Sequence, residues 1–127
     1  MAPAQKALKK VRKSENLKVA AGEDFKSGKF ADAIDKYSEC LTLFPTNAHY
    51  NCTIYLNRSM AQSKMGENHK ALDDLTKAIE LNENYNKAYV KRAEIHAKLE
   101  QYQECVYDLE AAKKIDPVGF GVQQKLW

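Results

Sequence analysis

A chain of 127 residues, 44% hydrophobic and 29% charged, holds enough material for one ordinary domain with a modest core and too little for two. Three prolines and five glycines interrupt it, and Ala, Leu, Lys and Glu dominate, which favours helices and argues against a sheet or a disordered coil. The net charge of +3 is concentrated in residues 1–13; setting their five bases aside from the 20 Lys and Arg leaves 15 against 17 acids, a nearly neutral body without the spread basic face of a nucleic-acid binder.

In chain order, the first segment, 1–13, carries Lys6, Lys9, Lys10, Arg12 and Lys13 with no acid and is expected to be solvated and frayed. It lacks the apolar run of a signal peptide, and nothing later approaches the roughly 20 apolar residues that span a bilayer. The expectation is a soluble cytoplasmic protein, with a nuclear location also open, that engages neither nucleic acid nor membrane. Cys40, Cys52 and Cys105 are odd in number and lie singly, which suits reduced, small core residues better than disulfides or a metal site.

From Ser14 onward the chain repeats itself. The stretches Gly28-Lys29-Phe30-Ala31-Asp32-Ala33-Ile34, Gly66-Glu67-Asn68-His69-Lys70-Ala71-Leu72 and Glu100-Gln101-Tyr102-Gln103-Glu104-Cys105-Val106 align. Each is followed at helical spacing by a large and a small residue: Tyr37 and Cys40, Leu75 and Ala78, Leu109 and Ala112. Turns follow at Phe44-Pro45-Thr46-Asn47, Asn82-Glu83-Asn84 and Ile115-Asp116-Pro117. The units therefore begin near Ser14, Cys52 and Asn86, separated by 38 and then 34 residues.

These offsets resemble the tetratricopeptide repeat family. Numbered within each unit, position 4 is Leu17, Tyr55 and Tyr89, and position 8 is Ala21, Ser59 and Ala93. Position 20 is Ala33, Ala71 and Cys105, and position 27 is Cys40, Ala78 and Ala112. Pro45 and Pro117 fill position 32, where the second unit has Glu83. The resemblance implies an all-α fold: three helix-turn-helix repeats (14–47, 52–85, 86–119) stacked as a right-handed superhelical solenoid, with a truncated capping helix starting at 120–127. Small residues let helix axes approach, large ones fill the gaps, and about three stacked units are needed for stability. The first helix of each pair would line a concave groove through positions 2, 5, 6 and 9. These are Glu15, Lys18, Val19 and Gly22; Thr53, Leu56, Asn57 and Met60; and Lys87, Val90, Lys91 and Glu94.

Within that family, these residues are similar to the carboxylate-clamp co-chaperones, which hold the C-terminal Glu-Glu-Val-Asp tail of heat-shock protein 70 and 90 chaperones. The resemblance implies carboxylate binding by Lys18, Asn57, Lys87 and Lys91, with Met60, Lys64 and Val90 beside the peptide. Two positions depart from the pattern. Lys91 replaces an Arg and gives up its planar fork. Gly22 replaces an Asn and gives up a hydrogen-bond donor. The insertion Ala48-His49-Tyr50-Asn51, expected to lengthen the third helix by about one turn, and the stretches Asn57-Arg58 and Lys87-Ala88-Tyr89 most resemble the repeat region of DnaJ-type co-chaperones. The partner implied is a chaperone tail, and the chain is expected to be a monomeric piece of a longer protein.

No catalysis, cofactor or metal is expected. His49, His69 and His96 share no helix face. The adjacent pairs Glu23-Asp24 and Asp73-Asp74 diverge on a helix and make poor acid–base partners. The alternatives are a repeat scaffold for some other partner, without a working clamp, and a domain appended to a larger enzyme.

Overall fold

The computed structural model describes residues 2–118, which form α1 (Pro3–Lys26), α2 (Phe30–Cys40), α3 (Ala48–Lys64), α4 (Asn68–Leu81), α5 (Asn86–Lys98) and α6 (Tyr102–Ile115). Each helix packs on the next in chain order, most extensively within the pairs α1–α2, α3–α4 and α5–α6. The result is a stack of helical hairpins, a solenoid in which every layer touches only its neighbours. The expected capping helix at 120–127 lies outside the described residues.

The small residues do what their spacing foretells. Ala21, Ala33 and Cys40 are fully buried, as are Ala71, Ala78, Ala93 and Ala112. Ala21, Ala33, Tyr37, Cys40, Ile54 and Ala61 join the first hairpin to α3, and Cys52, Leu56, Leu75, Ala88 and Ile95 join the second hairpin to α5. Cys105, at the same register as Ala33 and Ala71, is only half-buried, because no further described helix packs on α6.

Three turns close the hairpins at one register. Gly28 and Gly66 adopt φ of 79° and 78°, the left-handed region where a side chain is strained, and Glu100 adopts 59° in the third.

One expectation is corrected. Residues 1–13 are not a frayed lead-in: α1 begins at Pro3 and runs without a break into the first repeat. Pro3 sits at the first helical turn, where its missing N–H loses nothing. The Ala- and Lys-rich stretch behind it has high helix propensity, and docking of the downstream half spares it the nucleation step. The third helix is long, as expected, at 17 residues against 13 for α5, and Asn47 caps it by accepting a hydrogen bond from the Tyr50 amide at 3.0 Å.

Candidate functional site

The odd-numbered helices share one hollow surface. Gly22, Phe25 and Lys26 of α1, Tyr37 of α2 and Asn57 and Met60 of α3 line a recess of about 410 Å³. Phe25 and Met60 also border a second recess, of about 490 Å³, continued by Ser59, Ser63 and Lys64 of α3 and by Lys91, Glu94, Ile95 and Lys98 of α5. The two therefore form one groove running across α1, α3 and α5. Its charged lining is four lysines against a single acid, Glu94, which pairs with Lys91 at 3.6 Å.

Of the residues expected from sequence, Asn57, Met60, Lys64 and Lys91 come together here. Asn57 is half-buried in mid-helix, and its amide has no hydrogen-bond partner among the described residues. An Asn inside a helix is unfavourable without one, so this amide is available to a ligand. Lys18 lies apart from both recesses: its ammonium is 3.3 Å from Glu15 and 5.4 Å from the centre of the Tyr50 ring, which the lengthened α3 brings over α1. Lys87 is exposed, borders neither recess, and has no ion-pair partner among the described residues.

Two expected groove residues are corrected. Val90, expected beside the peptide, is 8% exposed and packs with Ala112, Tyr89 and Leu109. Leu56 is likewise core, 2% exposed. In α3 and α5, position 5 turns toward the second helix of its own or the neighbouring hairpin, so apolar residues there are packing residues. Lys18 at the same register is half-buried, with its amine beside Glu15 and over the Tyr50 ring.

Gly22 supplies the floor of the first recess. A Cβ built there meets nothing within 4 Å, so the glycine serves no tight helix crossing; it leaves room.

Sequence reading missed a regular feature. Lys26, Lys64 and Lys98 occupy position 13 of the three units, each closes the first helix of its repeat, and all three line the groove. Lys98 donates to Ser63 Oγ at 3.2 Å, and none of the three has an acidic partner among the described residues. The signal was present: one further step along the helix face from position 9 reaches position 13. Helix C-termini attract lysine by their dipole, which masks a ladder of this kind.

A second missed motif holds the layers together. Arg58 forks onto Asp74, Nε to Oδ2 at 2.7 Å and Nη2 to Oδ1 at 2.8 Å, while Nη1 donates to Ser38 of the preceding hairpin at 3.0 Å. Arg92 repeats this on Asp108, at 2.8 and 2.7 Å, and reaches back to Thr76 at 3.2 Å. Hydrogen bonding to these carboxylates raises both guanidinium pKa values, against the opposing effect of burial. Each Arg also lies over a tyrosine ring of its own helix, Tyr55 or Tyr89, at 5.6 and 5.7 Å. Beside the Arg92 pair, His96 donates or accepts at Gln101 through Nδ1 at 2.8 Å.

Among the described residues no helix is long and apolar enough to cross a membrane, and no group of three His, Cys, Asp or Glu gathers as a metal site.

Comparison with known proteins bears on this groove. A sequence model of the tetratricopeptide repeat matches residues 53–85 and 87–118. A DnaJ homolog subfamily C member 7 homolog of Dictyostelium discoideum is 33% identical over 120 residues, 94% of this chain and 22% of that protein. The chain thus spans under a quarter of that relative's length. Among solved structures, the first such domain of Spaghetti (RPAP3), bound to the HSP90 peptide SRMEEVD, is similar with a TM-score of 0.78 and 30% identity, covering 91% of this chain and 88% of that one. The second domain of human RPAP3, in complex with the HSP70 peptide SGPTIEEVD, gives 0.75 and 28%, covering 86% and 88%.

Proposed function

The chain belongs to the tetratricopeptide repeat family, and on that premise we propose that it is the protein-interaction module of a co-chaperone, binding the acidic C-terminal Glu-Glu-Val-Asp tail of heat-shock protein 70 and 90 chaperones in its groove. The observation that carries the reading is the pairing of lysines without acidic partners with an unpartnered Asn57 amide along a groove that also offers Phe25, Met60 and Ile95. Such a surface complements a short peptide whose carboxylates alternate with an apolar side chain. The similar domains of RPAP3 hold peptides of that composition.

In this reading Asn57 and Lys87 receive the terminal carboxylates, and Lys18 and Lys91 do so by exchanging Glu15 and Glu94 for the ligand. Met60 and Lys64 flank the peptide, and Lys26 and Lys98 extend its basic border. Val90 takes no part, since it is packed inside the third hairpin. Repeats at 14–47, 52–85 and 86–119 and a cytoplasmic location go with the same reading.

Calorimetric titration with a peptide ending in Glu-Glu-Val-Asp, and with its C-terminally amidated twin, tests it. One charge-assisted hydrogen bond to a carboxylate is worth roughly 1.5–3 kcal/mol, so the amide should bind at least about tenfold more weakly. Equal binding of the two peptides, or none of either at low salt, removes the clamp and leaves a repeat scaffold for another partner.

A further inference from the structure

The N-terminal extension of α1 carries a second basic site on a different face of the helix. Lys6, Lys9, Lys10 and Lys13 are spaced three and four apart, so all four project from one side of α1. That side is in register with Leu17 and Ala21, which pack α1 against α2, and out of register with Lys18 and Gly22. Beyond the end of α2 the packing face meets no further helix among the described residues. There the four lysines and Leu43, from the turn after α2, line an open, shallow trough.

The charge in this trough is almost uncompensated. Lys13 pairs with Glu39 at 3.4 Å; Lys6, Lys9 and Lys10 have no ion-pair partner among the described residues. Like charges three and four apart on a helix repel one another, so four of them on one face oppose the helix they sit on, and an anion in the trough relieves that repulsion. A helix whose free face served only solubility would mix both signs of charge.

We propose that this trough binds an acidic stretch of polypeptide, independently of the groove. The dimensions set its length. Lys6 to Lys13 covers seven helical steps, or about 10 Å, which an extended chain crosses in three or four residues. The lining selects a polypeptide over a duplex: Leu43 sets an apolar side chain beside the lysines, which a stretch of mixed acidic and apolar residues can match and a phosphate backbone cannot. The ligand carries two or three Asp or Glu side chains in succession and an apolar side chain to lie on Leu43.

The test uses the full chain and an acetylated, C-terminally amidated hexapeptide of Asp, Glu and one Leu, which has no terminal carboxylate for a clamp. Three exposed charge pairs together amount to about tenfold in affinity. Binding followed by fluorescence anisotropy should therefore weaken about tenfold in Lys6→Gln/Lys9→Gln/Lys10→Gln. It should persist in Lys6→Arg/Lys9→Arg/Lys10→Arg, which keeps the charge, and in the groove variant Lys64→Ala/Lys91→Ala. Far-UV circular dichroism confirms that each variant keeps its helix. Unchanged binding in the Gln variant, loss in the groove variant, or tighter binding of duplex DNA or phosphatidylserine vesicles than of the peptide would overturn the proposal. Because the probe is amidated, failure of the clamp reading leaves this result untouched, and the reverse also holds.

Discussion

The second and third repeats are fastened to their predecessors by one device, and the first repeat is built without it. Position 7 is Arg58 and Arg92 in the later repeats, position 23 is Asp74 and Asp108, and position 25 of the preceding repeat, Ser38 or Thr76, receives the third guanidinium bond. In the first repeat position 7 is Ala20 and position 23 is Lys36, which pairs instead with Asp24 across its own hairpin. The difference follows the architecture. Arg58 and Arg92 each reach back to the hairpin that precedes their own. The carboxylates of Asp74 and Asp108 are buried, so the fork also offsets a desolvation cost larger than that of the half-buried Lys36–Asp24 pair.

The sharpest way to break the comparison is to cut one fork. Arg92→Met leaves the Asp108 carboxylate buried, severs the tie to Thr76, and should destabilise the chain by about 3 kcal/mol. Urea denaturation at constant m-value measures it. Lys36→Ala, its counterpart in the first repeat, should shift the midpoint far less. Replacing both partners, as Arg92→Met/Asp108→Leu, should recover most of the loss, because the cost lies in a buried carboxylate left with only His96, at 3.8 Å. If the single and double variants are equally destabilised, the fork acts through packing alone.

The groove offers the next test, since the first repeat also differs there. Positions 9 of the later repeats are Met60 and Glu94, whereas Gly22 leaves an open floor. Gly22→Asn has room for its side chain and adds a donor beside Asn57. Under the proposed function it should tighten binding of the free-acid peptide about tenfold and leave the amidated peptide unchanged. A variant that binds both peptides alike would show that this floor does not face the carboxylates.

A smaller effect concerns the hairpin turns. Glu100 is the non-glycine member of a series whose other members, Gly28 and Gly66, also have positive φ. Glu100→Gly makes the third turn like the first two and should stabilise the chain by about 1 kcal/mol, read from the thermal midpoint.

How much of this was legible follows from what periodicity can report. The hairpins, their small-residue crossings and the extra turn of α3 were readable because each repeats a spacing fixed by helix geometry. Asn57, Met60 and Lys91 were assigned to the groove by helix register and Lys64 by the family resemblance, and all four line it. Val90 and Leu56 were misplaced because position 5 sits at the border between groove and core, where a wheel angle alone does not decide and residue polarity does. The Arg–Asp forks were written in the sequence twice at one spacing but went unpaired in the sequence reading, since a charged residue's burial depends on the neighbouring hairpin. The basic start of α1 was expected to fray because charge was weighed above helix propensity; continuity with a docked helix reverses that balance.

The smallest effect probes the junction that the insertion builds. Where the first and second repeats meet, the Arg58 tie is joined by a second: Ser14, 2% exposed, shares a 2.7 Å hydrogen bond with the Tyr50 hydroxyl, and the ring beneath Lys18 comes from the same added turn. Burial, with the Cys40 thiol alongside, pushes the Tyr50 phenol up to about 12 from 10.0, against the lowering effect of Ser14. A raised phenol pKa means the folded state favours the neutral form. Its contribution to stability is complete below pH 10 and is lost as pH rises from 10 toward 12. Tyr37 and Tyr85 are raised by burial too, so the wild type loses stability over that window from several sources. The difference between wild type and Tyr50→Phe isolates this one. At pH 7 the variant should be weaker by about 0.5–1 kcal/mol, the value of a partly exposed hydrogen bond, and the gap should narrow above pH 10. A gap that stays constant through pH 11 would mean that the phenol titrates as it does in the unfolded chain, and that the added turn holds α1 by ring packing alone.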